Sequence, residues 1–235
     1  MTTPAARRFY KLATALDVEG GHGVALDDRR LRTPKGAVFI APTRALAEAI
    51  ASEWDAQGEH IIPSSMPLTQ LAFAALDHTA NNRDDIAVAL AKYAETDLVS
   101  HRAASPEALA VRQSEKWDPL IEWGNARFQI LFPVVEGIMA APVAAESLLV
   151  FTDEIKKLDI FRATAAAQAI TLAGSILIGF ALIEGQLTAA HAFEAAALDE
   201  LWSQERWGRD EEAHARLEKQ RTEFETIARF VSALG

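Results

Sequence analysis

The amino-acid sequence predicts an α+β protein, with a small N-terminal antiparallel β domain followed by a larger all-helical domain that has one central buried helix. In residues 8–41, short apolar runs alternate with turn residues, which is typical of β-hairpins. From Thr43 onward, apolar residues recur about every 3.6 positions, which is typical of amphipathic helices. We therefore predict a β domain at residues 1–42 and a helical domain at residues 43–235, with a second candidate boundary near residues 137–142.

Three groups of turn residues divide the N-terminal region into short segments. They are Gly20–Gly23, Asp27–Arg30 and Pro34–Gly36. Gly and Pro interrupt regular structure, and Asp tolerates the backbone angles of tight turns better than most residues do. Their spacing predicts a small antiparallel sheet of hairpins, which Pro42 closes.

The region after residue 42 is predicted to form a series of helices. Thr43 is the predicted N-cap of the first helix, whose apolar stripe contains Leu46, Ile50 and Trp54. The Asp118-Pro119 pair predicts a new helix start or a kink. The same criteria predict further helical segments near residues 68–76, 82–93, 106–117, 143–158, 188–207 and 217–231.

The stretch Ala163–Ile183 carries no charged residue and predicts the central helix, because a helix that is apolar on all sides is buried. Gly174 and Gly179 predict tight packing, since each glycine costs a helix roughly 1 kcal/mol relative to alanine. A membrane span is the competing interpretation, because the uncharged length is sufficient to cross a bilayer. We favour the buried helix, because the chain has no second such stretch and no basic loop beside this one.

Charge and composition exclude several classes of partner. The chain has 235 residues and a formal net charge of -10, which repels phosphate backbones and anionic membrane surfaces. Cysteine is absent, so disulfides, thiolate nucleophiles and cysteine metal sites are excluded together. The N-terminus has no apolar signal core. We expect a cytoplasmic bacterial protein that binds no nucleic acid and does not insert into a membrane.

No motif in the sequence indicates an enzyme, a cofactor or a bound metal. Gly20–Gly23 leads into a predicted strand, whereas a phosphate-binding glycine loop leads into a helix N-terminus. Glu211 and His214 form one Glu-x-x-His pair, but a di-iron bundle needs two such pairs and two further carboxylates. We therefore predict a solvated polar helix face at this position, no metal site and no cofactor.

Two tryptophans and one acidic run are candidates for contact with another protein. Trp54 lies on an apolar stripe, which favours core packing over an interface. Trp207 lies among charged residues, which fits a half-buried residue and an interface residue equally well. Asp210, Glu211 and Glu212 are predicted to form the solvated start of a helix, where negative charge complements the helix dipole.

Several segments are together similar, in order and spacing, to one protein family. They are RRFYK (Arg7–Lys11), LDDRRLRTPKG (Leu26–Gly36), LAEAIASEWDAQ (Leu46–Gln57), IIPSSMPLTQLAFAALD (Ile61–Asp77), YAETDLVSHRA (Tyr93–Ala103), WDPLIEW (Trp117–Trp123) and LDELWSQERWGRDEEA (Leu198–Ala213). The family is the assembly chaperones for the α subunit of F-type ATP synthase, found in mitochondria and α-proteobacteria. The chain departs from the family at Asp28, where Gly is frequent.

The resemblance implies a non-enzymatic protein that binds the free α subunit and shields its interface surface until the β subunit replaces it. It implies that Trp54 and Glu212 matter to function, with Glu211 as the near alternative to Glu212. Together with Trp207 and Asp210, these residues form the predicted partner-binding set. We expect a monomer when the protein is free, and a matrix location for a mitochondrial homologue. The competing hypothesis is an enzyme or small-molecule-binding protein with a pocket between the helices.

Overall fold

The computed structural model describes residues 6–137, 139 and 142–235. Contacts between Cα atoms group the chain into two compact units. The first contains the residues up to Asn82 together with Ile160–Thr164 and Arg229–Gly235, and the second contains the remainder. The sheet and the helix that follows it are grouped in the same unit, and the domain boundary after residue 42 stays a prediction. The second candidate boundary, near 137–142, lies partly outside the described residues.

The first unit begins with the predicted antiparallel sheet. Strands β1 (Ala13–Val18), β2 (Gly21–Leu26) and β3 (Arg29–Arg30) lie in the order β1-β2-β3. Tight turns join them at Gly20, where φ is 85°, and at Asp27, where φ is 50°. The predicted turn residues therefore occupy the positions that need a left-handed backbone.

Helices continue the first unit. Helix α1 (Arg44–Asp55) begins at the predicted N-cap Thr43, whose side chain accepts a hydrogen bond from the backbone N–H of Leu46. Helix α2 (Pro67–Ala74) continues through a π-helical turn at Ala75–Thr79 into α3 (Ala80–Ala91), whose residues from Arg83 onward belong to the second unit. The amphipathic stripe of α1 is buried as predicted, and it includes Leu46, Ile50 and Trp54.

The second unit is mostly helical, with one short parallel pair of strands, β4 (His101–Arg102) and β5 (Val135–Glu136). Its helices are α4 (Glu107–Phe128), α5 (Ala145–Lys157), α6 (Ile160–Ala173), α7 (Ile176–Ile183), α8 (Ala189–Ala196), α9 (Leu198–Trp207) and α10 (Glu211–Leu234). The first residues of α6 and the last of α10 are those assigned to the first unit. The fold class predicted from the sequence, a small antiparallel sheet before a helical region, is confirmed.

Two predicted helix boundaries are wrong. Helix α4 runs without interruption through Pro119, so the new helix start that the Asp118-Pro119 pair predicted is wrong, whereas the alternative, a kink at this pair, stays a prediction. Buried residues on both sides, Trp117 and Leu120, hold the helix together where proline removes one backbone hydrogen bond. The single helix predicted from Thr188 to Trp207 is two helices, because the backbone leaves helical geometry at Ala197 (φ -100°, ψ 10°).

The apolar stretch Ala163–Ile183 is mostly buried, but it is not one helix. Gly174 takes a left-handed φ of 62° and ends α6, and the Ser175 hydroxyl caps α7 by accepting from the backbone N–H of Ile178 at 3.1 Å. All eight residues of α7 are buried. No helix of the described residues is long and apolar enough to cross a membrane.

Gly179 allows α7 to pack directly against the backbone of α6. A Cβ atom placed on Gly179 would lie 2.9 Å from the backbone N and 3.0 Å from the Cα of Ile170. Gly179→Ala should therefore lower the free energy of unfolding by about 1–3 kcal/mol through overpacking, despite a gain of about 1 kcal/mol in helix propensity. Chemical denaturation measures this change.

Gly124→Ala is the matched control for that measurement. The three heavy atoms nearest to a Cβ atom placed on Gly124 all belong to the side chain of Leu177, with Cδ2 at 2.7 Å, and that side chain can change rotamer. Its cost should be the smaller of the two. Equal stability of the Gly179→Ala variant and the parent protein would show that α6 and α7 separate without penalty.

Candidate partner-binding site

Trp54 is buried in the first unit. It is 8% exposed, and its ring lies 5.9 Å from that of Tyr10, centroid to centroid. The Tyr10 hydroxyl donates to the backbone carbonyl of Trp54 at 2.6 Å. The indole N–H is buried and makes no hydrogen bond to any described residue. The burial favours core packing, as the sequence pattern did, and a role of Trp54 in partner binding stays a prediction.

The residues beside Trp54 organise the chain that follows α1. The Glu53 carboxylate accepts from the backbone N–H groups of Leu68 and Thr69, each at 2.8 Å, and so caps the start of α2. The Gln57 side-chain carbonyl accepts from the backbone N–H of Ile62 at 2.8 Å. Glu53 and Gln57, on either side of Trp54, therefore have a structural role, which the sequence does not reveal because the donors and acceptors are distant along the chain.

Trp207 ends α9 and is exposed. Its exposed fraction is 79%, whereas Trp54, Trp117 and Trp202 are each at most 8% exposed. Gly208 follows with a φ of 91°, which a residue with a side chain rarely adopts. The turn there separates α9 from α10 and leaves the indole ring in solvent.

Three exposed carboxylates follow Trp207 at the start of α10. Asp210 is the N-cap, since its two carboxylate oxygens accept from the backbone N–H groups of Glu212 at 3.2 Å and Ala213 at 3.4 Å. The side chains of Glu211 and Glu212 make no hydrogen bond or ion pair with any described residue. The predicted solvated helix start is therefore present. We call Trp207, Asp210, Glu211 and Glu212 the acidic turn.

Helix α9, which carries the acidic turn at its end, is anchored to α4. The Arg112 guanidinium donates to both carboxylate oxygens of Glu205, at 2.6 Å and 2.9 Å, and lowers the pKa of that carboxyl. The guanidinium groups of Arg112 and Arg206 lie over the ring of Trp202, at 5.6 Å and 4.7 Å. These contacts hold the last turns of α9, which end at Trp207, against α4.

The structure offers no arrangement of metal ligands within residues 6–137, 139 and 142–235. No three His, Asp or Glu side chains there are placed to hold one ion. Glu211 and His214 lie in the first turn of α10, and His214 has no second pair opposite it among these residues. The absence of a metal in the working protein stays a prediction.

Comparison with known proteins identifies the family. Residues 7–125 match the family model of the ATP12 chaperone protein. The chain belongs to the ATP12 chaperone family. The family resemblance inferred from the sequence motifs is thereby confirmed.

Two solved structures of Atp12 and one of a putative chaperone share the fold over almost the whole chain. Atp12 from Paracoccus denitrificans is 40% identical, with a TM-score of 0.93 over 98% of this chain and 99% of that chain. An aspartate-to-lysine mutant of P. denitrificans Atp12p has the same TM-score and identity. A protein from Agrobacterium tumefaciens is 36% identical, with a TM-score of 0.91 over 100% of this chain and 88% of that chain. The mitochondrial protein atp12 of Schizosaccharomyces pombe is 26% identical over 226 residues, which cover 90% of this chain and 77% of that protein.

Proposed function

We propose that this ATP12-family protein is a non-enzymatic assembly chaperone of F-type ATP synthase. It binds the free α subunit and shields the subunit-interface surface until the β subunit replaces it. The observation that carries the proposal is the acidic turn, because it places an exposed tryptophan beside three exposed carboxylates on a chain whose family is named for chaperone activity. We further propose that it acts as a monomer in the bacterial cytoplasm.

An exposed tryptophan is a costly surface feature unless it is covered part of the time. Tryptophan is among the residues most enriched in the energetic centres of protein interfaces. Trp207 is the last residue of α9, and that helix is bonded to α4 through the ion pair of Glu205 with Arg112, so little backbone freedom is lost when a partner covers it. A holdase for an aggregation-prone surface needs such an apolar anchor within a polar surrounding.

The charge of the protein fits the same role. A net charge of -10 keeps the chaperone soluble while it carries a partly unassembled client. Glu211 and Glu212 form no ion pair with a described residue, and therefore remain available to basic groups of a partner. The acidic turn thus combines an apolar contact with electrostatic attraction, which raises the association rate and fixes the docking register.

The competing hypothesis, an enzyme or small-molecule-binding protein, finds less support. A cavity of about 340 Å³ in the second unit is lined in part by His101, Arg102, Gln113 and Asp199. Most of its polar side chains are hydrogen-bonded to other groups of the protein. Arg102 donates to Asp118 at 2.5 Å, and Gln113 donates to Asp199 at 2.8 Å. His101 Nδ1 lies 3.2 Å from a backbone carbonyl oxygen. A general acid or base must instead reach the substrate directly or through one water.

Co-expression with the α subunit tests the proposed function. The α subunit should stay soluble with this protein and precipitate without it, because the exposed interface surface is then covered. The measurement is the soluble fraction of the α subunit after centrifugation. The same soluble fraction in both cases would remove the holdase function.

Charge reversal tests the acidic turn. Glu212→Lys should weaken α-subunit binding by about tenfold or more, because a favourable contact becomes a repulsive one, and the loss should shrink at high salt if the contact lies at the rim. The melting temperature should hardly change, since exposed substitutions are usually within about 0.5 kcal/mol. Glu225→Lys is the matched control: it changes the same charge at an exposed position of α10 remote from the turn. Equal weakening by both variants would assign the effect to net charge and not to the acidic turn.

A further inference from the structure

A groove of about 540 Å³ lies between strand β1 and helix α1 in the first unit. On one side it is lined by Ala13, Thr14 and Ala15 of β1. The other side is a single face of α1, which runs beside the strand in the opposite direction, and its lining residues are Arg44, Glu48, Ala51, Ser52, Asp55 and Ala56. Because most of these side chains are small, the groove has room for the side chains of another chain.

The strand beside the groove has an unused hydrogen-bonding edge. Strand β1 is the outer strand of the sheet, so only one of its edges is paired. The backbone N–H of Asp27 donates to the carbonyl of Leu12 at 2.9 Å, so the backbone groups of residue 12 point toward β2. In an antiparallel pair, the backbone groups of successive residues point alternately toward and away from the neighbouring strand. The backbone groups of residues 14, 16 and 18 therefore point toward β2 as well.

The backbone groups of Ala15 consequently point away from β2, on the side of the groove. Neither its N–H nor its carbonyl bonds to a described residue outside the sheet. The N–H of Ala13, the next outward residue, is directed at the Asp55 carboxylate at 3.4 Å. Ala15 is thus the centre of the free edge, where a second chain could exchange a pair of main-chain hydrogen bonds.

We infer that this groove binds an extended segment of the client by strand addition to β1, with Ala15 at the centre of the pairing. The inference rests on the proposed function, because the occupant is a segment of the bound α subunit. Alternate side chains of the segment lie against Ala51, Ser52 and Ala56 of α1, which accept small or medium apolar groups. Main-chain bonds then supply affinity, and the groove between strand and helix selects side-chain size.

The charges along the groove favour a basic residue in that segment. Asp17, Glu48 and Asp55 each leave about half or more of the side chain exposed, and Arg44 is the one comparably exposed cation among the described residues that line or close the groove. Arg8, which pairs with Asp55, is largely buried. Arg44 pairs with both Asp17 and Glu48, and Arg8 pairs with Asp55, so the three carboxylates exceed the two cations by one. A basic side chain in the added strand would balance that remaining negative charge.

The same charges argue against a second copy of this chain as the occupant. Each copy has a net charge of -10, so two copies repel each other at long range. A self-paired edge would also bring the carboxylates of Asp17, Glu48 and Asp55 into both halves of one interface. An extended segment of a different chain avoids both costs.

Proline at position 15 tests the inference. Because the Ala15 N–H is not used within the sheet, Ala15→Pro removes an outward donor and leaves the pairing with β2 in place. Capture of the α subunit by the tagged full-length protein should fall about tenfold, which corresponds to the loss of one or two main-chain hydrogen bonds. Ala15→Ser keeps the donor and nearly the same size, so it should bind within about twofold of the parent protein.

A cysteine placed in the groove gives a second readout that does not depend on proline. The chain has no cysteine, so Ser52→Cys introduces a single thiol on the α1 side of the groove. Bound α subunit should slow the reaction of this groove thiol with a maleimide about tenfold, as expected for a thiol under a bound segment. Ser232→Cys, at an exposed position outside the groove, should react at the same rate with and without the α subunit.

The outcomes separate this inference from the proposed function. Failure of the parent protein to capture the α subunit removes the proposed function and the inference with it. Equal capture by the parent and Ala15→Pro proteins, with the groove thiol unprotected, overturns the inference alone. If Ala15→Pro melts at a lower temperature than the parent, the maleimide reaction of the groove thiol tests the inference instead: slower reaction with bound α subunit supports it, and an unchanged rate overturns it. Protection of that thiol by a second copy of the chaperone, in the absence of the α subunit, would assign the groove to self-association and overturn the inference.

Discussion

Trp54→Ala is expected to lower the free energy of unfolding by roughly 3–5 kcal/mol, a large part of the roughly 5–15 kcal/mol that holds a domain folded. The side chain is 8% exposed and packs on the ring of Tyr10, so its removal leaves a cavity. The measurement is equilibrium unfolding in a chemical denaturant. A variant that unfolds like the parent protein but fails to bind the α subunit would make Trp54 an interface anchor.

Trp54→Phe is the matched control. It keeps an aromatic ring beside Tyr10 and removes the indole N–H, which is buried without a hydrogen-bond partner among the described residues. Losing an unsatisfied donor offsets part of the lost volume, because such a group costs about 1–3 kcal/mol when it is buried. The phenylalanine variant should therefore lie much closer to the parent protein than the alanine variant does. Equal loss in both variants would show that the indole N–H has a partner in solution.

The elements that sequence alone predicts correctly are those whose signal is local. Turn residues at Gly20 and Asp27 predict the hairpins because only a few residue types tolerate a positive φ. Thr43 predicts the start of α1, because its hydroxyl bonds within the same turn of chain. The apolar period of the last helix predicts the buried positions Leu217 and Phe224 in the same way.

The elements that sequence predicts wrongly depend on contacts between distant residues. Gly174 is compatible with a close helix contact and with a left-handed helix end, and the sequence does not distinguish the two. In the fold it ends α6, and its carbonyl accepts from the backbone N–H of Leu98, which lies far away in sequence. Pro119 likewise continues a helix because of the burial of Trp117 and Leu120 on either side of it.

The two candidate sites also differ in whether they depend on local sequence or on contacts between distant residues. The acidic turn could be predicted, because charge, a tryptophan and a glycine lie within six residues of one another. The groove beside β1 could not, because it requires the register of the sheet and the placement of α1 along its edge. The function of Glu53 and Gln57 was missed for the same reason, since both bind backbone groups beyond the end of α1.

Asp97 is the residue at which such a distant contact should have the largest effect. Its carboxylate is fully buried and accepts from the backbone N–H of Val99 at 3.0 Å and from that of Ile176 at 2.6 Å, at the start of α7. Asp97→Ala leaves both donors buried without an acceptor, at a cost of about 1–3 kcal/mol for each. Denaturant unfolding should therefore show a loss comparable to that of Trp54→Ala.

The pH dependence of that loss tests the electrostatics of the site. Burial raises the pKa of Asp97 from 3.8 to about 6, although the hydrogen bonds from Ser175 and from backbone N–H groups lower it. The folded protein therefore holds the proton that the unfolded chain releases between about pH 4 and 6, so this group contributes most below pH 4 and its contribution is lost as pH rises to about 6. The difference between the two pKa values corresponds to about 3 kcal/mol.

Asp97→Asn isolates this contribution, because asparagine has nearly the same shape and does not titrate. It provides one oxygen for the two N–H groups of Val99 and Ile176, so it should be less stable than the parent protein. The difference in unfolding free energy between the two proteins should be greatest near pH 4 and should shrink as pH rises toward 7, since only the parent protein loses stability there. A difference that grows with pH would show that the N–H groups at the start of α7 outweigh burial, and that the pKa of Asp97 is lowered in the folded protein.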